Sequence, residues 1–139
     1  MNERFRVKFS YQDDTRYAYW RRMEFTEPQW IEMKNHADAR GIAFLSTPFS
    51  VAAIELLTRL GVEAWKVGSG DTMLDRLLDA MVATEKPMIV STGMSNWAEI
   101  DDLTETLSGR GADFTLMQCT TKYPTPLTDV GLNNLAEMK

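Results

Sequence analysis

The sequence predicts an α/β protein in which short β-strands and amphipathic helices alternate along the chain. Stretches rich in β-branched and aromatic residues recur, and each is followed by a stretch whose apolar residues have helical spacing. The predicted strand ends Thr47, Ser69, Thr92 and Thr121 are 22, 23 and 29 residues apart. Because the helix after each strand returns the chain to the same edge of the sheet, this order predicts right-handed βαβ units and a parallel sheet.

Five strands are predicted, with a helix after most of them. The strands are FRVKFS (residues 5–10), IAFLSTP (42–48), AWKVGSG (64–70), PMIVSTG (87–93) and FTLMQCTT (114–121). The first helix is predicted to begin where Thr26 and Gln29 have the spacing of a capping box, and to end at Gly41. The residues between the first strand and this helix are predicted to be a polar, tyrosine-rich connection.

Three further helices are predicted to begin at the polar residues Ser50, Thr72 and Asn96. The helix after Ser50 is predicted to end at Gly61, and Glu99 completes a second capping-box spacing with Asn96. From Pro124 onward the sequence predicts a loop, with the start of a helix near Asn133.

Two architectures accommodate this order of elements: a doubly wound open sheet, and part of a (β/α)8 barrel. A complete barrel needs about 250 residues, and this chain has 139. The pattern alone leaves both alternatives open. No linker or low-complexity segment marks a boundary, so residues 1–139 are predicted to contain no second domain.

The composition is typical of a soluble globular protein, with 44% apolar and 25% charged residues. The net charge of −5 argues against nucleic acid as a partner, because nucleic-acid-binding domains usually carry a basic face. Cys119 is the only cysteine, which excludes an internal disulfide and fits a reducing compartment. The sequence has no apolar signal segment at its start and no apolar run near the length of a membrane span. A cytoplasmic location without membrane contact is therefore predicted.

Polar residues concentrate at the carboxyl ends of the predicted strands, where ligands bind in both architectures. They are Lys8 and Ser10, Ser46 and Thr47, Lys66 with Ser69 and Asp71, Ser91 and Thr92, and Thr120 to Tyr123. A single hydroxyl there is explained as a helix cap or a turn residue. Hydroxyls at five successive ends, with lysines and glycines beside them, favour an anion-binding site.

Other reactive residue types favour structural roles. His36 lies opposite the apolar side of its predicted helix and is predicted to be a surface residue. Cys119 lies within a predicted apolar strand and is predicted to belong to the core. No histidine, cysteine and carboxylate residues have metal-ligand spacing, so no metal site is predicted in this chain.

The motifs STPFS, KVGSGD, STGM and CTTKYPTP, preceded by VKFS, resemble those of the sialic acid synthase family and occur in the family's order. The resemblance covers nearly the whole chain. It implies a (β/α)8 TIM barrel of which this chain supplies about five of the eight βα units, strands two to six. It also implies condensation of phosphoenolpyruvate with an N-acylated aminosugar to give a nonulosonic 2-keto acid. Family members act in surface and spore-coat polysaccharide biosynthesis, and a homo-oligomer, a dimer, is expected.

The resemblance also implies roles for particular residues. Phosphoenolpyruvate would be surrounded by Lys8, Thr47, Lys66, Ser69, Ser91 and Thr121. The expected catalytic residues are Lys66, Lys8 and Asp71, and Tyr123 is an expected substrate-binding residue. A divalent metal, Mn²⁺ or Mg²⁺, is implied as cofactor, but the family's histidine ligands lie on strands seven and eight, which this chain does not include.

Three departures from the family pattern leave the sugar substrate open. Ser10 stands where the family has glutamine, Asp71 where it has glutamate, and Thr121 where many members have asparagine or serine. Asp71 would face the sugar or its aldehyde. Two alternatives to a synthase also stay open: a Schiff-base aldolase with Lys66 as nucleophile, and a non-catalytic truncated relative that binds only an anion or a partner chain.

Overall fold

The computed structural model describes residues 10–138. The chain divides into two compact units, Met1–Met33 and Lys34–Lys139. Its helices are α1 (Arg16–Met23), α2 (Glu27–Ala39), α3 (Val51–Leu60), α4 (Asp75–Val82), α5 (Trp97–Gly109) and α6 (Leu132–Glu137). Its strands are β1 (Trp65–Val67), β2 (Met88–Ser91) and β3 (Phe114–Met117), and a 3₁₀ turn spans Leu127–Asp129.

Helix α1, in the first unit, replaces the connection that the sequence predicted. Thr15 caps the helix, because its hydroxyl accepts a hydrogen bond from the Ala18 N–H at 3.1 Å. Asp13 is held by Arg22, whose Nη2 lies 2.7 Å from Oδ2, and this bond lowers the pKa of the Asp13 carboxyl. The prediction failed because α1 buries no residue, and a helix without a buried face lacks the apolar period that marks a helix in the sequence.

The β-sheet of the second unit is parallel, with the strand order β1-β2-β3. Trp65 pairs with Met88, and Met88 pairs with Phe114, so the three strands begin at the same level. The carboxyl ends of all three strands therefore lie along one edge of the sheet. The α/β class and the parallel strands predicted from the sequence are confirmed.

The predicted strand IAFLSTP is reduced to a single bridge between Ser46 and Trp65. The Ser46 carbonyl accepts a hydrogen bond from the Lys66 N–H at 3.1 Å. Residues on both sides of Ser46 prevent this bridge from extending into a longer ladder of backbone hydrogen bonds. The Phe44 N–H donates instead to Glu63 Oε2 at 2.8 Å, and Pro48 has no N–H to donate. The predicted strand FRVKFS lies outside the described residues, apart from Ser10.

Side chains alternate between the two faces of the sheet, so β1 and β2 each have one fully covered face. Trp65, Val67, Met88 and Val90 are buried on that face, whereas Lys66 and Ile89 point to the other and are half-buried. Three helices supply most of the remaining core residues, which are Ile54 and Leu57 of α3, Leu77, Leu78 and Met81 of α4, and Ile100, Leu103 and Leu107 of α5. Lys66 is therefore excluded from the apolar core by the pleat itself.

Most predicted helix boundaries are confirmed. Ser50 caps α3, and Gly61 ends it with a φ of 77°. Asn96 and Glu99 form the complete capping box of α5. Helix α4 is an exception, because it begins at Asp75 and not at Thr72.

The start of α4 is displaced because the preceding residues form turns. Thr72 is buried, and its Oγ1 lies 3.3 Å from Ser95 Oγ in the loop after β2. The Leu74 N–H donates to the Asp71 carbonyl at 3.1 Å, and Leu74 occupies the N-cap position without a side-chain cap. The predicted helix near Asn133 is α6. In the part of the chain that the structure describes, no helix has both the length and the apolarity needed to cross a membrane.

The Glu63 carboxylate holds the segment before the Ser46 bridge by accepting a hydrogen bond from the Phe44 N–H. This contact makes the stability of the fold depend on pH. The N–H of Phe44, and then Lys34 at 3.4 Å, lower the pKa of Glu63 below its ordinary value of 4.5. A depressed pKa adds stability above pH 4.5 that is lost as the pH falls through the folded-state pKa. We expect Glu63→Gln to lower the free energy of unfolding at pH 7, and the difference from the unmodified chain to shrink as the pH falls below 4.5 and through the folded-state pKa of Glu63. Urea denaturation at several pH values measures this difference. Glu55→Gln, on the exposed side of α3, is the matched control, and an equal pH-dependent loss there would contradict the assignment.

Candidate anion-binding site

Lys66 points toward the strand ends of β1 and β2. Its Nζ donates a hydrogen bond to the Val67 carbonyl at 3.0 Å and another to the hydroxyl oxygen of Ser91, the last residue of β2. None of the carboxylates among residues 10–138 forms an ion pair with Lys66. Because this half-buried ammonium is neutralised by no carboxylate of these residues, the place next to Lys66 and Ser91 is suited to an anion.

Ser69, in the loop after β1, is bound to the loop after β2. Its Oγ accepts a hydrogen bond from the Gly93 N–H at 3.0 Å. The carbonyl of the same glycine accepts a hydrogen bond from Thr121 Oγ1 at 2.7 Å. Gly93, in the loop after β2, is therefore bonded to the loops after the other two strands. Its N–H donates to Ser69 after β1, and its C=O accepts from Thr121 after β3.

Glycine at position 93 is required by the space around it. A Cβ there would lie 2.8 Å from Thr121 Oγ1, 2.9 Å from the Cys119 carbonyl oxygen and 3.0 Å from the Cys119 Cβ. Two of these three atoms belong to the backbone or stand directly on it, so they cannot rotate away. The close approach of the loops after β2 and β3 thus depends on the missing side chain.

Asp71 and Thr47 both lie near Gly68, at the end of β1. A Cβ on Gly68 would lie 2.7 Å from Asp71 Oδ2 and 4.0 Å from the Thr47 methyl carbon. Asp71 does not cap α4, whose N-cap position is Leu74. The carboxylate therefore lies over Gly68 at the strand end, close to the residues that follow Lys66.

The structure places the remaining predicted residues less centrally. Tyr123 is fully exposed, and the neighbouring Lys122 Nζ lies 2.7 Å from Asp129 Oδ2. This ion pair lowers the pKa of Asp129. Lys8 lies outside the described residues. The predicted residues that the structure brings together are thus Lys66 with Ser91, and Ser69 with Thr121 through Gly93.

Sequence reasoning missed the two-sided role of Gly93 and the contact between Thr72 and Ser95. The glycine is part of STGM, but nothing in that motif shows that both of its backbone groups are used by neighbouring loops. His36 is exposed, as predicted.

The prediction that Cys119 is a core residue is wrong. β3 ends at Met117, so Cys119 lies beyond the strand and is half-buried. It lines a groove of about 270 Å³ together with Trp97, Gln118 and Asn134.

The described residues do not provide a donor set for a divalent metal. Within residues 10–138, no three histidine, cysteine or carboxylate side chains lie close enough together to hold one. The site at the strand ends consists of hydroxyls, an ammonium and one carboxylate, which is the chemistry of an anion site and not of a metal centre.

A parallel βα protein with polar side chains at its strand ends belongs to the class of α/β proteins whose ligand sites lie at the carboxyl ends of the strands. The model of one family, the NeuB family, matches residues 1–139, and the chain belongs to this family.

Relatives and solved structures agree with the family. The N,N′-diacetyllegionaminic acid synthase of Campylobacter jejuni is 33% identical over 97% of this chain and 41% of its own length. The N-acetylneuraminic acid synthetase of Leptospira borgpetersenii, solved in complex with citrate, is 27% identical with a TM-score of 0.79, over 83% of this chain and 40% of its own. A protein named for spore coat polysaccharide biosynthesis, from Chromobacterium violaceum, is 25% identical with a TM-score of 0.84, over 96% of this chain and 40% of its own. The chain thus spans about two fifths of the length of these relatives.

The contacts of Gly93 generate a prediction about stability. Gly93→Ala should lower the free energy of unfolding by about 1–3 kcal/mol, because the added methyl group overpacks a junction of backbone atoms. Gly70→Ala is the matched control, since a Cβ there meets nothing nearer than the Met94 sulfur at 3.8 Å. The control should change stability by about 0.5 kcal/mol at most. Urea denaturation of both variants measures the difference, and equal effects would show that the junction is not tightly packed.

Proposed function

We propose that this chain supplies the phosphoenolpyruvate-binding edge of a synthase that condenses phosphoenolpyruvate with an N-acylated aminosugar to form a nonulosonic 2-keto acid. The observation that carries the proposal is the Lys66 ammonium, hydrogen-bonded to Ser91 at the strand ends and without a carboxylate partner among the described residues. The names of the relatives, which are synthases of legionaminic and N-acetylneuraminic acid, support the class of product.

In the proposed fold, the chain contributes strands two to six of a (β/α)8 barrel. The bridge at Ser46 and strands β1 to β3 would be four neighbouring strands of that barrel, in the order found here. The half-buried face that carries Lys66 would then line the barrel interior. We place the protein in the cytoplasm, as a homodimer.

The proposed reaction forms a bond between C3 of phosphoenolpyruvate and the aldehyde carbon of the sugar. Water then adds at C2, and the C2–O bond to phosphate breaks, which releases inorganic phosphate and leaves the 2-keto group. Lys66 would bind the phosphate or carboxylate, and its fixed positive charge would stabilise the negative charge of the departing phosphate. The hydroxyls of Thr47, Ser69 and Ser91 would complete the anion site, with Lys8 beside them.

Asp71 is proposed to act on the sugar side. Its carboxylate lies over Gly68, at the end of the strand that carries Lys66. A divalent metal, Mn²⁺ or Mg²⁺, would polarise the aldehyde when bound, and its ligands are proposed to lie outside the described residues. The residues of this chain would bind phosphoenolpyruvate and orient it toward the sugar.

The role of Lys66 predicts a selective loss of binding. In the whole protein, Lys66→Met should weaken phosphoenolpyruvate binding by about 2–5 kcal/mol, because a buried anion loses its charged partner. Binding of the uncharged sugar should change far less. Lys86→Met is the matched control, since Lys86 precedes β2 at the opposite edge of the sheet. Isothermal titration calorimetry measures both ligands, and an equal loss for both would indicate misfolding and not a phosphate contact. The alternative, a Schiff-base aldolase, is tested separately. Borohydride reduction with a keto acid should leave Lys66 unmodified, whereas labelling of Lys66 would indicate a Schiff-base aldolase.

The role of Asp71 predicts a change in sugar handling. Asp71→Glu should shift the preference among acylated aminosugars while phosphoenolpyruvate affinity stays nearly constant. Asp71→Asn should lower turnover more than it weakens binding, since the amide cannot take up a proton. Steady-state kinetics with several aminosugars, together with melting temperatures, measure both effects. Reduced stability with normal turnover per folded molecule would refute a role in the reaction.

A further inference from the structure

The hydrogen bonds around Gly93 determine which hydroxyls are able to donate to an anion. Ser69 Oγ accepts from the Gly93 N–H, so the hydrogen of the Ser69 hydroxyl is not used in that bond. Thr121 Oγ1 donates its hydrogen to the Gly93 carbonyl, so it has no hydrogen left to donate. A hydroxyl that binds an anion must donate. Ser69 therefore meets this condition in the observed arrangement, and Thr121 does not.

We infer that Thr121 is a positioning residue, which acts through the backbone of Gly93 to orient the Ser69 hydroxyl as a donor to the substrate anion. The inference rests on the proposed function, because it assigns a task to the same anion site. It differs from the expectation that Thr121 itself contacts phosphoenolpyruvate.

The geometry favours transmission through a single residue, because both hydrogen bonds are made by the backbone of Gly93. The Thr121 bond to the Gly93 carbonyl is 2.7 Å long, and the Gly93 N–H bond to Ser69 is 3.0 Å long. Gly93 also packs closely against the loop after β3, because a Cβ there would lie within 3.0 Å of atoms of Thr121 and Cys119. The loop after β2 is also tied to β3, because Thr92 donates through both its N–H and its hydroxyl to the Met117 carbonyl, each at 3.1 Å. Loss of the Thr121 hydroxyl therefore removes the contact that fixes the Gly93 carbonyl, while the β2–β3 pairing stays intact.

A double-mutant cycle in the whole protein tests this coupling. Thr121→Val removes the hydroxyl at nearly constant volume, Ser69→Ala removes the proposed donor, and isothermal titration with phosphoenolpyruvate measures affinity. Thr121→Val should weaken binding about three- to tenfold, the loss expected for one hydrogen bond. In the Ser69→Ala background it should weaken binding less than about twofold, because the donor that it orients is already absent. Thr121→Ser, which keeps the hydroxyl, should restore affinity to within about twofold of the unmodified protein.

A spectroscopic readout tests the positioning role without ligand. Thr92–Gly93 is the only Thr-Gly pair in these 139 residues. Labelling with ¹³C-carbonyl threonine and ¹⁵N-glycine therefore selects the Gly93 amide within this chain. Its chemical shift should move in Thr121→Val as well as in Ser69→Ala, and should stay near the original value in Thr121→Ser. Thr128→Val is the matched control, because Thr128 is an exposed threonine of the same segment whose hydroxyl donates to Asp129 Oδ1 at 3.0 Å and not to Gly93. It should leave both affinity and the Gly93 shift unchanged.

Each outcome decides for or against the inference. Strictly additive losses for Thr121→Val and Ser69→Ala would make Thr121 a direct ligand and overturn the positioning role. An unchanged affinity in Thr121→Val, or a Thr121→Ser variant as weak as Thr121→Val, would overturn it as well. If Lys66→Met also leaves phosphoenolpyruvate binding unchanged, the proposed function itself is wrong and the inference falls with it. If Thr121→Val does not fold, the Gly93 shift and the affinity of Thr121→Ser, compared with Ser69→Ala, still decide the question.

Discussion

The candidate site depends on the hydrogen bond between the Lys66 ammonium and the Ser91 hydroxyl. This bond exists because β1 and β2 are parallel neighbours in a register that pairs Lys66 with Ile89, two residues before Ser91. A change of one residue in that register would turn Lys66 toward the apolar face, where its charge would be costly. The packing of Trp65 and Val67 in the core therefore selects the register, and the register in turn brings the lysine to the anion site.

The parts of the fold that the sequence predicted are those with strong local signals. Ser50, Gly61 and the Asn96–Glu99 pair act through their own side chains or backbone angles, so their helix boundaries are visible in the sequence. The predicted start of α4 at Thr72 was wrong, because Thr72 has a tertiary contact with Ser95 that no local sequence pattern shows. The strand predicted around Ser46 was too long. Glu63, which is distant in sequence, accepts the hydrogen bond of the Phe44 N–H, so this N–H does not pair with a neighbouring strand.

The candidate site was predictable in composition but not in connectivity. Hydroxyls and lysines at successive strand ends indicated an anion site, since parallel strands bring those ends together. The direction of each hydrogen bond was not predictable, because a threonine hydroxyl donates or accepts with equal ease. Thr121 and Ser69 thus look alike in sequence, whereas the structure uses one as a donor to the protein and the other as an acceptor from it.

This division of donors and acceptors explains how a chain with a net charge of −5 can present an anion site. Ser69 accepts from a backbone N–H, and Ser91 accepts from the Lys66 ammonium. The oxygen of each hydroxyl thus already accepts a hydrogen bond from the protein. The position of that bond determines where the hydroxyl hydrogen points. A cation next to them would compete with Lys66 and with the Gly93 N–H for the same oxygens, whereas an anion accepts the hydrogens that both serines have left. A preference for negative charge at this candidate site would therefore be local, set by which atoms of the two serines already bond to the protein.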